Sequence, residues 1–389
     1  MPRSLDITIV GAGVMGSAAA WRLAKRGHRV RLLDQHPAGH EFGSSHGDSR
    51  VIRLAYHTPD YVALAREAYR LWGDLEQETG RTLMVRTGGL DLGMPDAEVL
   101  DEIEATYRLG NIPYERLDRA GIAERFPQFR LPDEIIGLWQ ADYSVLPANL
   151  CVKTLAEQAA RHGASVRYGE RVASVRPNGE GVVVETDQST YSSDRVILTA
   201  GPWMGPMLAR LGLDLPLHVS RETVLYMAVA HPERFTPERF PLVIHRFPGN
   251  KTLGGFFPSF GHAGIKALID RVGPIIDSED PDVAVDPEMQ ERIRRYAMDV
   301  IPDATGEVIW AGTCRYTMTP DEDFIIDAHP DHRNIVLASP CSGHGFKFAP
   351  IIGEILAELA IDGTTARDIS RFKVHRPALQ PARQSPHVA

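Results

Sequence analysis

Asp6-Ile7-Thr8-Ile9-Val10-Gly11-Ala12-Gly13-Val14-Met15-Gly16, continued to Asp34 as SAAAWRLAKRGHRVRLLD, is the stretch that decides the fold. Asp6–Val10 is dominated by β-branched residues and reads as a strand. The glycines that follow open an alanine-rich helix (Ala18, Ala19, Ala20), with Val14 and Met15 in its first turn. Gly27 stops that helix, and Val30–Leu33 reads as a second strand ending in Asp34. Strand, glycine turn, helix and strand, with an acid about 20 residues on, is the context that gives a Gly-x-Gly-x-x-Gly pattern meaning. Gly11 makes the tight turn, Gly13 lets a pyrophosphate approach the backbone, and Gly16 lets helix and strand pack closely. The helix N-terminus offers free N–H groups and a positive dipole end to phosphates. Asp34 would accept hydrogen bonds from a ribose diol and disfavours a 2′-phosphate. An ordinary glycine turn in a doubly wound sheet is the alternative, and spacing, context and acid together argue against it. The stretch leaves NAD and FAD both open.

The rest of the composition narrows the class. A chain of 389 residues with 43% hydrophobic and 24% charged content points to two globular domains. A formal charge of −9 and the lack of a basic run argue against a nucleic-acid partner. No run of about 18 apolar residues is present, so no membrane span is expected. A first strand beginning by Asp6 leaves no room for a signal peptide. Cys151, Cys314 and Cys341 form neither a disulfide framework nor a metal spacing. The simplest setting is a reducing cytoplasm, and no metal is expected.

Along the chain, Gln35–Gly47 reads as a loop. Arg50 and Arg53 follow, three apart, and on a helical turn they would share a face. They are either anion clamps beside the nucleotide loop or solvated charges. Asp60–Thr79 is an amphipathic helix with Ala65, Ala68, Tyr69, Trp72 and Leu75 on its buried stripe. Pro147 begins another helix, which Gly163 ends. Arg195–Thr199 is a continuous apolar strand, as expected of a buried parallel sheet. From Pro216 the pattern becomes antiparallel, with strands near 219–230, 242–245, 253–257 and 261–266. Asp286-Pro287 caps a helix over Glu288–Met298. Near the end, Ser342-Gly343-His344-Gly345-Phe346-Lys347-Phe348 leads into a helix that Gly363 stops.

Three segments carry a resemblance: GSSHGDSRVIRLAY (Gly43–Tyr56), CRYTMTPDEDFIID (Cys314–Asp327) and SGHGFKF (Ser342–Phe348). With them, nearly the whole chain resembles the monomeric sarcosine oxidase and N-methyl-amino-acid oxidase family of flavoproteins, which is related to the pipecolate oxidases. The resemblance implies FAD, held through a cysteine thioether to the flavin 8α-methyl carbon at Cys314. It implies that Gly11, Gly13, Gly16 and Asp34 bind the ADP half. Ser44, Ser45, Ser49 and Val172 would line the cofactor, with Gly201 near it. Gly343, Gly345 and Phe346 would set the last helix against the isoalloxazine. Arg50 and His46 fall at flavin positions, Arg53 and Lys347 match the pair gripping the substrate carboxylate, and Tyr316 matches a pocket aromatic. Lys266, on the Phe257-Pro258-Ser259-Phe260 side, matches a lysine that reaches flavin N5 through a water. Cys151 and Cys341 then read as inert packing.

The chain departs from the family pattern at Asp270, where a pocket histidine stands, and at Gly255 or Phe256, where a pocket tyrosine stands. The expected architecture is α/β: a Rossmann-type FAD-binding domain (1–87, 147–215, 314–376) with a discontinuous second domain on a mainly antiparallel sheet (88–146, 216–313), and a loose tail (377–389). The expected activity is oxidation of a secondary amino acid with dioxygen reduced to hydrogen peroxide, by a monomer. The alternatives are oxidation of pipecolate or another cyclic amino acid, a dehydrogenase passing electrons to a protein acceptor, or a nucleotide-binding protein without catalysis.

Overall fold

The computed structural model describes residues 4–247 and 253–380. Its first sheet has six strands in the order Ile325–Ala328, Ile335–Ser339, Arg195–Leu198, Asp6–Val10, Arg29–Asp34 and Ser165–Tyr168. All neighbours pair in parallel except Ile325–Ala328, which lies antiparallel at the edge. Ile7, Ile9, Leu32, Val196, Ile197 and Val336 are fully buried or nearly so, because helices cover the sheet. The helices Val14–Lys25 and Ala349–Asp362 pack closely. A Cβ on Gly353 would stand 2.6 Å from the Ala18 carbonyl carbon, so small residues on both sides set the approach.

The second sheet has nine strands, and one path through eight of them runs Ile275–Ile276, His218–Val229, Ile265–Asp270, Leu253–Phe257, Leu242–Arg246, Gly89–Gly93, Ile136–Gln140, Glu115–Asp118. The ninth, Ala304–Met318, pairs antiparallel along His218–Val229. Only Leu242–Arg246 and Gly89–Gly93 run parallel to each other. Strand side chains alternate between faces. One face carries Leu225, Met227, Val243, Phe256, Ile265 and Ala267, buried with Ile293, Ala297 and Val300 of the helix Pro287–Val300. Asp286 caps that helix, its Oδ1 accepting from the Glu288 and Met289 N–H groups. The registers put Cys314 opposite Glu222, Tyr226 opposite Lys266, Gly255 opposite Leu268 and Ile244 opposite Asp91. Those residues form the other face, which looks toward the first sheet's cavity.

Three expectations need correction. Arg50 lies in a strand, Arg50–Ile52, that pairs with Ser144–Leu146 and ends before Arg53, so the two guanidiniums do not share a helical face. The Ser342–Gly345 turn does not feed the last helix directly. A 3₁₀ turn over Phe346–Phe348 intervenes, and the α-helix starts at Ala349. The start of the tail is packed: Pro377–Leu379 is a 3₁₀ turn with Leu379 buried, behind Arg376, which donates to Asp321 and to the Phe324 carbonyl. The tail beyond Gln380 lies outside the described residues. The strand Ala304–Met318 also runs unbroken across positions 313 and 314.

Candidate active site

A cavity of about 750 Å³ opens at the carboxyl ends of the parallel strands, where ligands of such sheets bind. Gly11, Gly13, Val14, Met15, Asp34, Ser44, Ser45, His46, Arg50, Val172, Gly201, Tyr316, Gly343, Gly345, Phe346 and Lys347 all line it. Gly11 has φ +100°, a value that suits glycine. A Cβ on Gly16 would overlap the Gly11 carbonyl oxygen, so Gly16 supports the turn from behind rather than lining the cavity. Asp34 Oδ2 accepts from the Ala12 N–H at 2.8 Å, and Oδ1 accepts from the His36 N–H at 2.9 Å. The acid braces the turn as well as facing the cavity.

The loop from Gly43 to Arg50 is held by its own arginine. Arg50 donates to the carbonyls of Ser49 (2.9 Å), Ser44 (3.1 Å) and His46 (2.8 Å). Burial first, then the Arg50 charge, pushes the His46 imidazole down to about 3, so it is neutral at physiological pH. Ser49 does not face the cavity. Its Oγ is 3.1 Å from Tyr226 Oη and accepts from Lys266 Nζ at 3.2 Å, while its carbonyl accepts from the same ammonium at 3.0 Å.

Lys266 is buried, its Nζ 4.7 Å from the Phe257 ring centre. Burial and then Arg50 push it down to about 7, against the opposing pull of Cys314 and Asp48. In the flavin-free protein this has a stability consequence. Between the folded value near 7 and the unfolded value near 10.5, the unfolded chain holds a proton that the folded chain lacks, so stability rises with pH through that window. The melting temperature of flavin-free Lys266→Met should therefore stand above that of the parent at pH 6 to 7. The gap should narrow as pH climbs toward 10; a gap that is constant with pH would show that Lys266 is not desolvated.

At the other end of the cavity, Lys347 Nζ donates to Tyr56 Oη at 2.9 Å and to the His344 carbonyl at 2.6 Å. Burial, with Arg53 nearby, holds it well below its usual value. Arg53 lies outside the cavity wall, 4.7 Å over the Tyr56 ring, and is buried with Nη1 lacking any partner. Burial pulls its guanidinium down, and Tyr143, Tyr56 and Asp91 more than offset that. Cys314 is buried in the second sheet, its thiol pushed up to about 11 by burial against the pull of Arg50 and Lys266. It too is outside the wall, as is Lys266. Cys341, expected as inert packing, instead lines the cavity with its sulfur accepting from the Thr317 N–H at 3.4 Å. Cys151 is fully buried beside the Leu83 carbonyl.

Residues 6–359 match the model of the FAD-dependent oxidoreductases, described as DAO. The chain belongs to that family. Among FAD-dependent oxidoreductases, it is 35% identical to a monomeric sarcosine oxidase of Bacillus sp. (strain B-0618), with 99% of each chain covered. It is 32% identical to an N-methyl-L-tryptophan oxidase of Salmonella arizonae, covering 95% of this chain and 98% of the relative. Its fold matches NikD, an amino acid oxidase, with a TM-score of 0.85 and 28% identity over 95% and 97% of the two chains.

The cavity fits the family's cofactor. Ser44 Oγ, His46 Nε2 and Ser339 Oγ line it and are buried without a partner in the protein. Buried polar atoms are rarely left so, and a ligand rich in hydroxyl, phosphate and ring acceptors would pair them. Gly11 and Gly345, which line it, leave no room for a Cβ against the Thr199 and Pro340 carbonyls, so bare backbone faces the cavity there. Sequence reading passed over several wall and support residues. Thr199 Oγ1 donates to the Val10 and Gly11 carbonyls at 3.0 Å. Tyr226 and the 2.9 Å His262–Asp48 pair flank Lys266. Asp91, Arg246 and Tyr143 lie beyond Arg53, the Tyr143 hydroxyl donating to Asp91. No local motif marks these; only strand register brings them together.

Proposed function

We propose that this FAD-dependent oxidoreductase is an oxidase of a secondary amino acid, sarcosine or another N-methyl amino acid. The carrying observation is Arg53, buried with Nη1 unpartnered against the Tyr56 ring, whose hydroxyl accepts from Lys347 at the cavity's end. The relatives' names, sarcosine oxidase and N-methyl-L-tryptophan oxidase, support the amine class and do not favour a dehydrogenase, a pipecolate oxidase or a non-catalytic subunit.

Arg53 and Lys347 bind the substrate carboxylate through charge-assisted hydrogen bonds, each worth about 1.5–3 kcal/mol. This fixes the amine end, and Tyr316 and Phe346 form the surrounding wall. When bound, FAD supplies the acceptor for the C–H electron pair next to nitrogen. The amino acid leaves as the imine and takes up water; sarcosine thus yields glycine and formaldehyde. Dioxygen takes the two electrons and two protons to leave as hydrogen peroxide, with the Lys266 ammonium stabilising the negative charge that develops on it. Arg50, donating to the Ser44 and His46 carbonyls, holds the loop beside the reacting centre, and the neutral His46 imidazole faces the cavity. Cys314 would hold the cofactor through a thioether.

The FAD-binding unit is assigned 1–87, 147–215 and 314–376, and the substrate unit 88–146 and 216–313, with the strand Ala304–Met318 crossing from one to the other. The name of the Bacillus relative supports a monomer. Free Cys151, Cys314 and Cys341 suit a reducing cytoplasm. Among the described residues no helix is long and apolar enough to cross a membrane.

The test is a panel of N-methyl, cyclic and primary amino acids, scored by anaerobic bleaching and by peroxide. N-methyl amino acids should bleach the protein and release peroxide in air. Arg53→Ala should raise the Michaelis constant at least about tenfold. Equal rates for a carboxylate-free amine and the amino acid would overturn the clamp, and bleaching without peroxide would indicate a dehydrogenase.

A further inference from the structure

The strands on either side of Gly255 expose a recess that the carboxylate clamp does not use. Leu268 stands on a strand paired on both sides, yet it is only half-buried, and so is Arg246 two strands away. On the opposite face of these same strands Val243, Phe256 and Ala267 are completely buried. Space therefore lies over the site face. Gly255 forms its floor, between Ile244 and Leu268. A Cβ there would meet Leu268 Cγ at 3.4 Å, an ordinary contact, so packing does not require glycine at 255. Its neighbour Gly254 differs: a Cβ would run into the Tyr296 ring.

Arg246 edges this recess. Its Nη2 lies 3.4 Å from Asp91 Oδ1, and its Nε is buried without a partner. Asp91 is already taken up by the Tyr143 hydroxyl and also lies close enough to affect Arg53. Two cationic side chains, Arg53 and Arg246, thus share one carboxylate, Asp91. Asp270, the next acid on this face, lies 3.3 Å from Arg271, which pairs at 2.6 Å with Glu322, and its charge acts on Lys347. A substrate carboxylate held by Arg53 and Lys347 leaves the buried Arg246 Nε donor unmatched; a second carboxylate would pair it.

We infer that Arg246 and the Gly255 recess form a second anion subsite, so that the preferred substrate is a secondary amino acid carrying a second carboxylate on its side chain or its nitrogen substituent. The inference rests on the amine oxidase reading above. Arg246 is a specificity residue and takes no part in the oxidation.

The test separates binding from turnover. The flavin-loaded protein is titrated, by the change in its visible spectrum, with methylthioacetate and with thiodiacetate, inert sulfur analogues bearing one and two carboxylates. The same protein is then reduced anaerobically with sarcosine and with iminodiacetate. Thiodiacetate should bind at least about tenfold tighter than methylthioacetate, and iminodiacetate should show the same advantage over sarcosine in kcat/KM. Arg246→Met should erase both advantages while leaving sarcosine within about twofold, and Arg246→Lys should keep part of them. Equal binding of the two analogues, or an advantage that survives Arg246→Met, overturns the subsite while sarcosine oxidation stands. If Arg246→Met weakens both analogues alike, the Arg246–Asp91 pair is structural and the proposal fails. If no amine bleaches the protein, the oxidase reading falls and the subsite with it.

Discussion

In stopped-flow measurements, Lys266→Met should slow reoxidation of the reduced protein by dioxygen at least about 10²-fold, the scale of losing one preorganised electrostatic contact. Reduction by the amine should change far less. The expectation follows from position and charge. Lys266 spends two of its three donors on Ser49 and is walled by Phe257 and Tyr226, so its ammonium is fixed and dry. A charge held without solvent needs no reorganisation when negative charge develops on dioxygen. Its depressed value, near 7, means that the ammonium is poised to be lost on the alkaline side in the flavin-free protein; an anion beside it would favour the charged form. Methionine matches the length of the side chain and removes the charge. Equal slowing of both half-reactions, or an unchanged reoxidation rate, would remove Lys266 from the oxygen step.

The second large effect is all-or-none. Acid-precipitated protein should remain yellow, and Cys314→Ala should release its colour to the supernatant. Cys314 faces the same side of the sheet as Lys266, and both Lys266 and Arg50 pull its value down against burial. Those two cations favour the thiolate that a thioether bond requires. Free flavin from the unmutated protein would exclude the link. A colour retained by Cys314→Ala would point to Cys341, the other thiol beside the cavity.

Local physics made much of the fold legible. Gly11, Gly16 and Asp34 act through their own turn, the helix Pro59–Thr79 announces itself by its period, and Asp286 caps by its own side chain. What depended on distant strands was not legible. Two arginines three apart share a face on a helix; here a strand formed by pairing with Ser144–Leu146 ends between them. Asp91 and Arg246 meet across 155 residues, through a parallel pairing no motif announces. Lys266 looks in sequence like any lysine near a strand end, and its burial comes from the strands on both sides. The family likeness supplied roles for Arg53, Lys347 and Cys314 that composition and spacing alone leave open.

Gly254 and Gly255 are adjacent, chemically identical and opposite in consequence. The first is closed to change, because its missing side chain is where the Tyr296 ring lies, stacked 4.9 Å from Phe256. The second is indifferent to the fold, since an added methyl group finds only van der Waals contact. Substrate range can therefore drift at position 255 without crossing a valley of lost stability, and a descendant enzyme with a new taste in amines could arise there in a single step.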